Sequence, residues 1–326
     1  MLSRIFPDRF IPVLLGTILL ANLLPVHGRG VAVASLVSSG AVFVLFFLNG
    51  VRLPRDEVLA GLKHWRLQGT AFALCFVVMP ALGLAAAWGL GGHLPPPVVL
   101  GLIFMGVLPS TVQSATAATS MAGGNVAASV VAAALINLAG VLLSPLLFAL
   151  LASSKGVVIA PETALRIVTI LLVPFLLGQS LQRWLRPTVM AHKAIATFMD
   201  RSTIAIAVYV AISAAVVSGV GRVLSGGDVA LLSLALAVML ALAIGGALVA
   251  GRLLALPRGD RIMLIFTGSQ KSVAVGAPLA TILFAPDIAG MVIIPILVYH
   301  LMQLVVSAWI APAFWRQSDM RTVLVE

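Results

Sequence analysis

Lys271 stands in the segment Phe266-Thr267-Gly268-Ser269-Gln270-Lys271-Ser272, inside a run that is otherwise apolar. An ammonium at mid-bilayer depth costs at least ~2.5 kcal/mol and by default marks a functional site. Lys271 lies roughly ten residues into its run, a poor position from which to snorkel to an interface. Thr267, Ser269, Gln270 and Ser272 surround it with oxygen. A second polar interruption, Pro109 to Ser114, offers Ser110, Thr111, Gln113 and Ser114, with Thr116 just beyond. Hydroxyls, amide oxygens and the carbonyls freed by a broken helix coordinate small hard cations, while half-helix N-termini favour anions. One isolated serine or threonine would more simply bond a neighbouring helix. Two dense clusters at matching places point instead to a binding site.

A fixed ammonium among such oxygens has two uses. It can take the place of a bound metal cation, or it can release its proton, because burial disfavours the charged form. The first makes transport independent of sodium, and the second couples it to protons. Tyr299, His300 and Gln303 share an approximate helix face and add a further candidate group, in which His300 could touch a substrate or exchange a proton. Ser129 and Asn137 could also face inward. Asp200, Asp228 and Asp287 all fall near the ends of apolar runs, so a carboxylate relay has no obvious carrier. The chain has no HExxH or GxSxG motif and no acid–base pair in its polar clusters, which argues against an enzyme. The single cysteine, Cys75, excludes a disulfide framework.

The elements that must position these residues are membrane helices. The chain is 61% hydrophobic and 9% charged, with a mean hydropathy of +1.15. A soluble domain carries about 25% charged residues. The net charge of +10 would suggest nucleic acid in a soluble protein, but basic cytoplasmic loops account for it here. Apolar runs long enough to cross the hydrocarbon core lie at roughly 10–26, 31–53, 67–90, 98–122, 125–153, 163–185, 202–220, 229–256, 261–284 and 288–315. The fourth is broken at Pro109 and the ninth at Gly268 to Ser272. With both termini in the cytoplasm, only Arg29, Lys155, Arg166 and Arg222 fall outside, and Lys271 alone falls within the membrane. The two halves, 1–154 and 155–326, each hold five runs, with a break in the fourth and a proline late in the fifth (Pro145 and Pro312). Five is odd, so the second half is inverted relative to the first, as in many secondary transporters.

Several stretches taken together resemble the bile acid:sodium symporter family: FFLNGVRL, HWRLQ, LPSTVQSATAATSMAGGNVAAS, GSQKS with Gly276 and Pro278 downstream, and YHLMQL. More specifically, they resemble its divergent bacterial branch, related to the seventh human member. The resemblance covers nearly the whole chain. It implies ten helices divided into a core (third to fifth, eighth to tenth) and a panel (first, second, sixth, seventh). It also implies that the broken fourth and ninth helices cross at the centre and that the substrates are organic anions. Among sodium-site positions, Ser114, Thr116, Ser129, Gln270 and Ser272 match or lie near the family pattern. Lys271 stands where sodium-coupled members carry Asn, Phe266 where they carry Glu, Ala133 where they carry Thr and Cys75 where they carry Gln. His300 is similar to the histidine of substrate-binding members, but Leu301 follows it in place of Asn. What remains is a weakened sodium site at Gln113, Ser114, Thr116, Ser129 and Gln270, with Lys271 as a surrogate for the ion.

The sequence therefore leads us to expect an all-helical integral protein of the bacterial inner membrane with ten spans. It would act as a secondary transporter of a small organic anion, working by alternating access, with no cofactor beyond sodium or a proton as the coupling ion. Two other readings are a cation/proton antiporter-like protein and a membrane regulator of ion or lipid-precursor traffic that does not itself transport.

Overall fold

The computed structural model describes residues 10–52, 64–153, 162, 165–166, 168–217, 219 and 224–323. The described elements are helical. They are α1 (Phe10–Leu23), α2 (Arg29–Arg52), α3 (Trp65–Leu90), α4 (Pro96–Val107), α5 (Gln113–Met121), α6 (Val126–Ser153) and α7 (Val168–Ala191) in the first part of the chain. There follow α8 (Lys193–Val217), α9 (Gly226–Leu253), α10 (Arg258–Ser269), α11 (Val273–Leu283), α12 (Pro286–Val292) and α13 (Ile294–Val323). Among the described residues, seven helical segments are long and apolar enough to cross a membrane: α2, α3, α6, α7, α8, α9 and the stretch Pro286–Phe314. Large apolar side chains also point outward, for example Leu19, Leu36, Leu146, Leu253 and Trp309. An exterior this apolar suits lipid and not water.

The helices pack in two groups. α2 lies along α7, and α8 lies along α1 and α2. The α2–α7 contact is close enough that a Cβ on Gly50 would stand 2.2 Å from the Phe175 carbonyl oxygen. Arg52 ends α2 and pairs with Asp200 of α8 at 2.6 Å. In the other group α3 lies against α4, α4 against α6 and α13, and α10 against α9, α5 and α6. α8 touches this second group through α11 and α12. Phe104, Phe148 and Phe284 meet edge to face at 5.1–5.7 Å and fasten α4, α6 and the end of α11 together.

Three local features differ from what the sequence predicts. The seventh apolar run is expected from residue 202, yet α8 begins at Lys193, with only His192 between it and α7. The Arg52 pairing lets this polar turn, Asp200 included, continue the helix. The second break is shorter than expected: Gly268 and Ser269 are still helical, and the chain leaves the helix at Gln270. Gly268 is there for space, since a Cβ would meet the Leu74 side chain at 2.7 Å. The third feature is a π-helical turn at Leu74–Val78 inside α3.

Candidate functional site: a lysine in a carbonyl cage where two helices break

That π-turn sets up one wall of the site. The Met79 amide bonds the carbonyl of Leu74, five residues back. The amide that would next serve the Cys75 carbonyl belongs to residue 80, which is proline and has none. The Cys75 oxygen is therefore left without a partner from its own helix. α4 supplies the other wall. It stops at Val107 because Leu108 turns extended, and Pro109 brings no amide. A Cβ on Gly106 would stand 2.9 Å from the Met79 carbonyl oxygen, so glycine is what lets the end of α4 lie against the π-turn.

Lys271 fills the space between these walls. Its Nζ donates to the carbonyl oxygens of Cys75 (3.0 Å), Gly106 (2.8 Å) and Leu108 (2.5 Å). Three ammonium hydrogens meet three carbonyls, of which that of Leu108 also accepts from Cys75 Sγ at 3.6 Å, and Lys271 is 0% exposed. The positive charge also sits at the negative end of α4's dipole. Cys75 Sγ lies 3.6 Å from Nζ.

Further backbone groups of both breaks are also satisfied. Ser144 Oγ donates to the Val107 carbonyl, the Ser272 amide to that of Pro109, and Asn137 Nδ2 to that of Ser110. The Ser272-to-Pro109 bond, at 2.9 Å, joins one break to the other. On the far side, Tyr299 Oη donates to the Ser269 carbonyl. Gln303 accepts from the Lys271 amide at 2.7 Å and donates back to the Lys271 carbonyl at 2.9 Å. The unwound residue is thus paired with a side-chain amide much as it would be with a neighbouring strand. The Gln303 amide nitrogen also lies 2.8 Å from His300 Nδ1, which in turn is 3.4 Å from the Lys271 carbonyl oxygen.

A pair of facing helix breaks with a cation fixed in the gap is the kind of structure ion-coupled transporters build. The family model for the SBF-like CPA transporter family matches residues 8–316. The chain belongs to that family. It is 39% identical over 317 residues to the uncharacterized protein PA2026 of Pseudomonas aeruginosa, covering 97% of this chain and 95% of that one. It is 36% identical over 312 residues to the protein of Escherichia coli K12 named putative symporter YfeH, covering 96% and 94%. A shorter likeness, 28% over 82 residues and 24% of this chain, is to the solute carrier RCH1 of Candida albicans, of which it covers 20%. The chain is accordingly a multi-pass membrane protein of a transporter family.

Around the lysine cage, this SBF-like transporter sorts its polar residues into two groups. In the first, Gln270 Oε1 accepts from Thr111 Oγ1 (2.5 Å) and Ser114 Oγ (2.7 Å), while Gln270 Nε2 donates to Ser307 Oγ (3.0 Å). In the second, Thr116, Ser129 and Thr267 form a chain of hydroxyls at 3.3 and 3.2 Å. Of the five residues proposed from the sequence as a weak sodium site, Ser114 and Gln270 fall in the first group and Thr116 and Ser129 in the second. Gln113 stands apart from both, exposed in the first turn of α5. Ser272 caps α11 through the Val275 amide, and Ser269 bonds back to the Ile265 carbonyl. Ser110 is buried with its hydroxyl unpartnered among the described residues. Sequence reasoning missed Ser144 and Ser307, since one serine in an apolar helix carries no signal of what it faces. It also missed the three carbonyls of the cage. Their only sequence signals are the two prolines, Pro80 and Pro109, that leave acceptors uncovered.

Proposed function

We propose that this protein is a secondary transporter of a small organic anion in which the Lys271 ammonium permanently occupies the position of a coupling cation. The observation that carries this reading is the three-carbonyl cage around Nζ: a metal ion would use those same backbone oxygens. Counting α4 with α5, α10 with α11 and α12 with α13 gives ten spans in two inverted five-span repeats, 1–154 and 155–326. α1, α2, α7 and α8 then form the panel, and the rest form the core. Alternating access is a rocking of panel against core in the bacterial inner membrane, with both termini in the cytoplasm. The basic residues support this orientation: Arg52, Arg66, Arg183, Arg201, Arg252 and Arg258 fall on the cytoplasmic side.

The decisive measurement is thermal stability of the purified protein in sodium, potassium and lithium salts. Wild type is expected to melt at one temperature in all three, and Lys271→Ala at a lower temperature whatever the sodium concentration. Stabilisation of wild type by sodium alone would overturn the surrogate role and restore sodium symport. Uptake into liposomes by the purified protein separates a transporter from a membrane regulator that moves nothing.

A further inference from the structure

A cavity stands apart from the lysine. It lies between the two helix groups, at the end of the molecule away from Arg52 and Arg258, and has a volume of about 360 Å³. Ser35, Ser38 and Ser39 of α2 line one side, and Thr281 to Phe284 at the end of α11 line the other. Arg166 is the one charged residue among its described lining residues. A second cavity of about 220 Å³ adjoins it, sharing Ser35, Val210 and Pro286, and is walled mostly by valine and alanine, with Asp287 at its rim. Ligand sites typically enclose ~300–1,000 Å³, mostly apolar, with a few placed polar groups.

Two buried hydroxyls here lack hydrogen bonds. Ser38, 2% exposed, lines the larger cavity, and Ser213, also 2% exposed, lines the smaller one; neither oxygen has a partner among the described residues. A buried hydroxyl left unbonded costs roughly 1–3 kcal/mol, so such groups are normally satisfied. A guanidinium and an unbonded serine hydroxyl lining one cleft, with no acidic side chain among its described lining residues, match a carboxylate or sulfonate.

We propose that the Arg166–Ser38 cleft is an anion-binding site separate from the crossover, and that it holds the anionic group of the substrate on its passage between the broken helices and that end of the molecule. The inference rests on the transport reading above. Arg166 and Ser38 hold the anionic group, the adjoining valine-lined cavity takes an apolar body, and Asp287 repels a second negative charge at that end. A monoanion is therefore preferred over a dianion of the same length.

The test uses Ser35→Cys, a position that lines both cavities, in the otherwise intact protein, where native Cys75 is buried. Thiol reagents of equal size but opposite charge report the field in the cleft. With Arg166 present, the anionic reagent is expected to react faster relative to its cationic counterpart than when Arg166→Gln is added, by about tenfold, and benzoate should slow the reaction. Arg166→Lys should keep the preference in reduced form. An unchanged ratio in Arg166→Gln, with no protection by benzoate, overturns the site even if liposome uptake is robust. Retained preference and protection in a protein that moves nothing in liposomes would uphold the site while the transport reading fails.

Discussion

Lys271 cannot be exchanged for another cation. Three converging carbonyls match the three hydrogens of an ammonium, whereas a guanidinium is planar and presents a fork. Lys271→Arg is expected to lose at least tenfold in liposome uptake despite keeping its charge, and Lys271→Ala to lose stability as well. Three buried acceptors lose the ammonium, and those of Cys75 and Gly106, at about 1–3 kcal/mol each, place that loss at roughly 2 kcal/mol or more, read as a lowered melting temperature. Gln303→Leu tests the opposite face of the same residue. It removes the Gln303 bonds to both the amide and the carbonyl of Lys271 and should cost about 2 kcal/mol or more with the ammonium untouched. At this scale the sequence was informative in one direction. A lysine amid apolar residues is conspicuous, as are Gln270, Tyr299 and Gln303. Its acceptors belong to the backbone of Cys75, Gly106 and Leu108, and no residue type announces an available carbonyl.

Two elements make the cage: the π-turn of α3 and the abrupt end of α4. Replacing a proline in a membrane helix usually tightens that helix. Pro80→Ala should instead harm this protein, because the new amide competes with Lys271 for the Cys75 oxygen. Lower melting temperature and reduced uptake are the expected result, and an unchanged melting temperature would mean that the π-turn persists without the proline. Gly106→Ala forces the end of α4 off the π-turn and should act in the same direction by roughly 2 kcal/mol, the usual scale of overpacking. The helices themselves were legible from apolar run length. The two breaks were legible from Pro109 and from GSQKS, although the second proved to be three residues long, with Gly268 serving close packing. The π-turn was not legible, since Leu-Cys-Phe-Val-Val is an ordinary helical sequence and only Pro80, two residues past the turn, hints that the hydrogen-bond register must slip. The charged first turns of α8 were missed for a related reason: Asp200 reads as a loop residue until Arg52, far away in sequence, is seen to neutralise it.

At the scale of the whole molecule, the proposed ten spans put both termini on one side and the basic loops make that side cytoplasmic, so a reporter fused to either terminus is expected to be active there; reporters of opposite sign at the two ends would break the inverted-repeat reading. The cage also has an electrical consequence. A cation that arrives with its substrate cancels charge, but Lys271 is tied to the chain and never leaves. On the proposed reading, each monovalent anion then crosses uncompensated, and the protein generates current. An inside-negative potential of 100 mV weights one elementary charge by ~2.3 kcal/mol, or about fiftyfold, in favour of the outside. Liposomes clamped inside-positive should therefore fill faster than unclamped ones, and inside-negative ones should empty. Accompaniment by one proton would erase that voltage dependence. A charge fixed in the wall of the pathway would make the resting cell an anion exporter, with the membrane potential as its engine.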